Sequence, residues 1–466
     1  MFRISRRVIR ATAIGAIATL SATAATACSS VTPGKSGGDG GGKTVLRVQG
    51  MPPGTDKAGL AQFTKQVAEF EKANPDIRIQ GSTTVFDPLT FSAKLAGGSV
   101  EDVIKVPLTE PQRLIAQGQV QPITGHLKEW DHFKEFNPQV LKPLSDAAGG
   151  VYGVPQNPYA QGLVYNRDLF EQAGLDPDKP PTTWEEVRSD AKQISSRTGK
   201  AGFVQESKDN QGGWQLTMLS YAHGGDMERD SGGTYVTAFD SAPTKQSLQL
   251  LKDMRWSDDS MGRNQLVNQN DVIKAFAAGQ VGMYMGSPGT YRLAKMQFGM
   301  ENTDAFGIGP MPQSGGNATL IGGDVYMVPK SVDAKHAQAA VKWLIYAYAQ
   351  PQYDTTAAAQ AAKDLAADPK AAVGVPTLPV FDTQRQTAIN AAIKPYVNVK
   401  LENFRPYTDG LGKLELKPEP PFEAQTVYTA LDSVVQSVLT ERNADIDALL
   451  SKAAKEVDAK LATDQK

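Results

Sequence analysis

The sequence has one cysteine, Cys28, and four histidines among 466 residues. A single thiol cannot close a disulfide within the chain, and a Cys/His zinc cage needs several such ligands. A surplus of one charge is also missing. The 48 Lys and Arg residues stand against 50 Asp and Glu, a formal charge of −2. That balance lacks the basic excess of a nucleic-acid binder. No apolar run is long enough to cross a bilayer, and no repeat of fixed period appears. The G-x-S-x-G elbow, the Walker A loop and H-E-x-x-H are absent. His126 and His132 are six apart, a poor helix spacing for shared ligation, and no cysteine lies near them. The expectation is therefore no cofactor and no metal. What is present is ordinary globular usage, 40% hydrophobic and 21% charged, enough for a sizeable core. Length alone suggests about three domains.

Arg3, Arg6, Arg7 and Arg10 open the chain without an acid, and a modestly apolar stretch runs from Ala11 to Ala27. This is the layout of a secretory signal over residues 1–27. Ser5-Arg6-Arg7-Val8-Ile9 resembles a twin-arginine export signal, with general secretion as the alternative. Ala25-Thr26-Ala27-Cys28 resembles the lipobox of bacterial lipoproteins, with Ala25 where leucine is usual. That resemblance implies cleavage before Cys28 and its lipidation. Plain cleavage after an Ala-x-Ala site is the alternative. Residues 28–43 then form the anchor and a flexible Gly/Ser-rich tether, which suits a body standing off a membrane. Several acyl chains anchor stably where one is marginal. Removal of residues 1–27 leaves 44 basic and 50 acidic groups, a formal charge of −6.

The body alternates strands and helices. Thr44 to Gln49 reads as a strand; Leu60, Phe63, Val67 and Phe70 share one helix face; Asn74-Pro75 stops that helix; Ile77 and Ile79 begin a second strand. This is a β-α-β unit of a parallel sheet with flanking helices. Val103–Val106, Gly162–Tyr165 and Val281–Met285 read as further strands. Thr183 with Glu186 forms a capping box ahead of Trp184, Val187, Ala191 and Ile194 at helical spacing. Helices are also expected over Asp271–Ala278, across Ala337 to Tyr348 with a stop at Pro351, in the Ala-rich 354–372, and along Val427, Leu431, Val434 and Val438. Leu401 to Pro421 reads as an irregular, Pro-rich surface segment near a binding face. Trp184 and Trp343 fit helix stripes and are expected in the core.

Residues 153–187 are the most specific part of the chain. Pro155, Tyr165-Asn166, Asp168-Leu169-Phe170, Ala173-Gly174 and Pro181-Thr182-Thr183-Trp184-Glu185-Glu186 resemble the extracellular solute-binding proteins of ABC importers. The likeness is greatest to the sugar-binding family that includes maltose-binding proteins. Phe70 with Asn74-Pro75-Asp76-Ile77, Pro310-Met311-Pro312, Gly322-Gly323-Asp324 and Gly374-Val375-Pro376-Thr377 follow the family's order. Glu101-Asp102-Val103 departs from its Pro-Asp-Val, and Phe276–Met283 carries Gly282 where the family has alanine. The resemblance spans about residues 44–455.

It implies an α/β fold of two lobes, each a mostly parallel sheet with flanking helices, crossed three times by the chain. The crossings are expected near Pro158–Ala160, Ile321–Gly323 and Gly374–Thr377. Lobe one is then 44–158 plus 323–375, and lobe two is 159–321 plus 376–466. The implied function is capture of a carbohydrate between the lobes and its delivery to a membrane permease, by a monomer anchored on the outer face of the cytoplasmic membrane. A polyamine, peptide or anion in the same fold is the alternative, and a secreted polysaccharide hydrolase of different fold a further one. No adjacent Tyr-Tyr pair supports an iron-transport relative.

A sugar needs aromatic faces for its C–H patches and polar groups for its hydroxyls. The candidates that could supply these contacts are Trp214 for stacking, Tyr159 at the first crossing, and Gly322, Gly323 and Asp324 at the second. Gly286 and Ser287 at the end of a buried strand are added, with Phe86 and Asp87 after the second strand. Lys105, Thr109, Arg405 and Tyr407 complete the set.

Overall fold

The computed structural model describes residues 42–465. The expected signal, Cys28 and nearly all of the tether lie outside the described residues. The chain enters through β1 (Thr44–Gln49), where Leu46 and Val48 are buried, and a helix follows over Lys57–Ala73. β2 (Ile77–Ser82) then pairs with β1 in parallel, as the β-α-β pattern requires. Phe63 and Phe70 meet Trp343 edge-on at 6.1 and 5.2 Å. Such pairs contribute about 0.5–1.5 kcal/mol each beyond their buried area.

Ten more strands follow among the described residues. They are β3 (Ile104–Pro107), β4 (Gly153–Ala160), β5 (Gly162–Asn166), β6 (Ala201–Phe203), β7 (Glu228–Asp230) and β8 (Tyr235–Thr237). After these come β9 (Val281–Gly286), β10 (Phe306–Pro310), β11 (Ala318–Met327) and β12 (Glu415–Lys417). β11 spans the crossing and pairs with β3, β4 and β12, and in the first lobe Val48 bridges Val103 beside β3. The second lobe holds a sheet in the order β10-β5-β9-β6.

The sheets are mixed, which corrects the expected mostly parallel arrangement. β1–β2, β6–β9 and β11–β12 are parallel, but β11 runs antiparallel to both β3 and β4, and β5 antiparallel to both β9 and β10. The reason is the crossing itself. β4 and β5, separated by Gln161 alone, carry the chain out of the first lobe, and β10 and β11 carry it back. Outgoing and returning strands lie side by side and therefore run in opposite directions.

The third expected passage, at Gly374–Thr377, is part of a longer excursion. Ala372 and Val375 pack in the second lobe with Val399 and Phe404. Val380 and Phe381 pack in the first lobe beside Phe136 and Tyr353, and the Asn137 amide donates to the Val380 carbonyl at 2.9 Å. Arg385 lies over the Tyr353 ring at 3.6 Å. Val380, Phe381 and Arg385 thus pack on first-lobe residues, within a stretch expected in the second.

Three helix expectations also change. The helix Ala334–Leu344 continues through a wide turn at Ile345–Ala349 into Gln350–Tyr353. Pro351 lies just past the wide turn and the helical backbone carries on through it, so it does not stop the run. The Ala-rich segment is helical only over Thr355–Ala366, capped by Asp354. The segment 401–421 is largely regular, with short helices at Leu401–Phe404 and Arg405–Leu411 and then β12.

The motif at 165–187 has a structural meaning. Asn166 ends β5 and caps the helix Arg167–Ala173, accepting the Leu169 amide at 3.0 Å, and Gly174 closes that helix at φ +74°. Thr183 and Glu186 form the expected capping box, and Trp184 packs edge-on against Phe203 at 5.8 Å. The family departures fit as well. An alanine at 282 would bring its Cβ within 2.8 Å of the Gly202 carbonyl. Glu101 accepts from Ser82 at 2.7 Å and Gln49 at 2.9 Å, joining the ends of β1 and β2.

Candidate functional site

The site begins with a bulge. Pairing of β11 with β4 shifts register between Gly322 and Asp324. Gly323 stands there at φ +139°, and a Cβ would lie 2.9 Å from the Pro158 Cα. Glycine alone tolerates that backbone at that distance. The bulge lets Gly323 and Asp324 reach the wall of a cavity of about 720 Å³ between the lobes. Lys105 Nζ holds Asp324 Oδ2 at 2.9 Å from the neighbouring β3. At Gly322 the space of a side chain is filled by the Tyr159 ring, whose Cζ lies 2.5 Å from where a Cβ would be.

The opposite wall rests on the helix Gln211–Ala222. Its first turn carries Gly212 and Gly213 because a second helix, Ala424–Thr440, crosses against it. A Cβ on Gly213 would collide with the Tyr428 carbonyl, and one on Gly212 would stand 2.6 Å from Asp432 Oδ1. This close approach sets Trp214 half-buried, one side on the second-lobe core and the other on the cavity.

Behind Trp214 sits Glu419, buried at 7% exposure. Its Oε2 accepts the Tyr428 hydroxyl at 2.7 Å, and the Trp214 side chain also bonds to the carboxylate. Burial pushes the Glu419 carboxyl up to about 7, against these hydrogen bonds. Burial likewise raises the Tyr159 and Tyr428 hydroxyls, helped by the Glu419 charge. The wall also carries polar groups: Thr109 and Asn157 from the first lobe, and Gln211, Gln269, Ser287 and Arg292 from the second. This combination of aromatic faces with carboxylate, amide and hydroxyl groups suits a polar organic solute.

Of the sequence candidates, Trp214, Tyr159, Gly323, Asp324, Ser287 and Thr109 meet at this wall. The others lie elsewhere. Gly322 underlies the Tyr159 ring, and Lys105 reaches the site through Asp324. Gly286 is buried in β9 opposite Gly162. Phe86 packs on Phe91 at 5.1 Å, and Asp87 accepts the Thr90 hydroxyl at 2.9 Å at the head of the helix Pro88–Ala96. Tyr407 is buried beneath the crossing, donating to the Ala160 carbonyl at 2.9 Å. Arg405 is exposed at the start of its helix and away from the wall.

Sequence reasoning missed Glu419, Tyr428 and Arg292. Tyr428 stands beside the apolar stripe of Val427 and Leu431 and reads as core, and it is buried at 2%. Its hydroxyl, turned to Glu419, connects it to the site. Glu419 lies two residues before the end of the segment singled out as close to a binding face.

Two α/β lobes joined by paired crossing strands, with a polar and aromatic cleft at the crossing, define a solute-binding protein. The family model for bacterial extracellular solute-binding proteins matches residues 54–354. The chain belongs to that family, which is one of binding proteins. A binding protein of Brucella abortus is 26% identical over 232 residues, 48% of this chain and 54% of its own. The sn-glycerol-3-phosphate-binding periplasmic protein UgpB of Salmonella typhimurium is 26% identical over 257 residues, 52% of this chain and 56% of its own. The chain thus spans about half the length of the curated relatives it matches. Among solved structures, the cyclic alpha-maltosyl-1,6-maltose binding protein of Arthrobacter globiformis superimposes with a TM-score of 0.67 at 21% identity. That match covers 91% of this chain and 100% of the other. The hydrolase alternative presupposed a different fold, which this chain does not have.

Proposed function

We propose that the protein is the substrate-binding component of an ABC importer, holding a carbohydrate in this cleft and handing it to a membrane permease. The observation that carries the reading is the wall itself. Asn157 and Asp324 of one lobe and Tyr159 at the crossing share this wall with Trp214, Glu419 and Gln211 of the other lobe, around about 720 Å³. A sugar touching both sides binds best when the lobes are closed, so its differential affinity shifts the population toward closure. The permease then reads the closed form. Lipidated Cys28 and the Gly/Ser tether keep the binder at the outer face of the cytoplasmic membrane, as a monomer. The sugar-binding structure of Arthrobacter globiformis with the same fold supports this choice of solute.

The test is titration of a mono- and oligosaccharide panel, read by tryptophan fluorescence and by melting temperature. A saturable change with at least one sugar is expected. A flat response across the panel overturns the carbohydrate assignment. A second reading, a phosphorylated polyol, is favoured by Arg292, which reaches the wall without an ion pair among the described residues. Including sn-glycerol 3-phosphate in the panel separates the two.

A further inference from the structure

The Glu419 corner carries more than a hydroxyl acceptor needs. Its carboxylate is buried, yet among the described residues no arginine or lysine forms an ion pair with it. The charged group whose field acts on it is another acid, Glu110, which Arg113 already pairs. On the other side of Tyr159, Asp324 is taken by Lys105. The groups packed about Glu419 are aromatic: Trp214 and Tyr428 bond to it, and Tyr159 and Tyr221 lie within reach of its charge. Lys417 is the nearby cation on the adjacent strand, and it is spent on Asp226 and on the Tyr221 ring. Trp214, Tyr159, Tyr428 and Glu419 all reach the cavity.

We infer that the Glu419 corner is a subsite for a cationic nitrogen of the ligand, an ammonium or quaternary ammonium group. A buried carboxylate without a counter-charge is costly, and a cation brought by the ligand removes that cost. Ring faces attract the same cation, most strongly when water is displaced. A neutral hydroxyl donates a hydrogen bond to the carboxylate but brings no counter-charge. The inference rests on the cleft being the ligand site. It names one end of the ligand and leaves the sugar portion to the rest of the wall. Because the carboxyl titrates near 7, binding of a cation is coupled to loss of its proton and strengthens as pH rises through that value.

The experiment is calorimetric titration of the full chain at pH 6 and pH 8 with three probes: glucose, N,N,N-trimethylglucosamine and choline. The charge of the last two is permanent, so only the protein titrates. The trimethylammonium sugar is expected to bind more tightly than glucose and to lose about tenfold between pH 8 and pH 6. Glu419→Gln is expected to erase both the preference and the pH dependence. Equal binding of the two sugars by the native protein overturns the inference whatever the variant does, and leaves the carbohydrate reading standing. Persistence of the pH dependence in Glu419→Gln also overturns it. Choline binding without sugar binding supports the subsite and removes the sugar. Failure of all three probes removes the subsite.

Discussion

Asp432 Oδ1 accepts the Gly212 amide at 2.7 Å, joining two helices whose sequence positions are 220 apart. The carboxylate also receives backbone bonds from Gly213 and Asn210 and one from Gln436 at 2.9 Å. It therefore serves as the cap of the helix that carries Trp214, supplied from another part of the chain. A cap of this kind satisfies amide donors that the helix cannot satisfy itself. Asp432→Ala should destabilise the protein by about 1–3 kcal/mol, the range for losing buried charge-assisted bonds. It should also weaken ligand binding through displacement of Trp214. Chemical denaturation and titration check the two effects. A change in neither would mean that helix packing alone holds the first turn.

Gly323→Ala tests the bulge. The new methyl meets Pro158 in a backbone region closed to alanine, so the strand must shift at the point where Asp324 turns to the cleft. A cost of about 1–3 kcal/mol is expected from the strain alone. Thermal melting reads it, and unchanged melting would show that β11 relaxes freely.

Trp214→Ala should weaken sugar binding by about 1.5–3 kcal/mol, the value of a large apolar side chain's burial. Affinity equal to that of the native protein would remove Trp214 from the ligand's surroundings and leave it as a packing residue.

Glu206 lies beside the same helix, fully buried, and among the described residues neither carboxylate oxygen has a hydrogen-bond partner. Burial pushes its carboxyl from the ordinary 4.5 up to about 8. The folded state therefore holds a proton that the unfolded chain releases across that interval. Its contribution to stability is greatest below about pH 4.5 and is lost as pH rises toward 8. Glu206→Gln should raise the melting temperature at pH 8 by several degrees and flatten the profile between pH 5 and pH 8. Each pKa unit is worth about 1.4 kcal/mol, less the amide's own cost of burial. Melting curves across that range decide it. A profile as steep as the native one would assign the dependence to other groups, Glu228 first, whose burial also raises it to about 7.

Cys28→Ser should move the protein from the membrane fraction to the soluble exported fraction and abolish incorporation of labelled palmitate. Membrane retention without Cys28 would remove the lipid anchor from the proposal.

Local order was legible in the residues because its causes are local. The Thr183–Glu186 box and the Phe63–Phe70 stripe depend on neighbours a few positions away, and each appears where periodicity and cap chemistry place it. The family was indicated separately, by the resemblance of the motifs at 153–187 and of those that follow in the same order. Long-range contacts decided the site. Glu419 and Tyr428 join Trp214 and Tyr159 only because β4, β11 and two crossing helices bring distant segments together. Arg405 and Tyr407, from the same late segment as Glu419, were carried elsewhere by the helix Arg405–Leu411. The mixed direction of the sheets has the same origin. A strand's pattern records which of its faces is buried, but not which partner lies beside it or which way that partner runs.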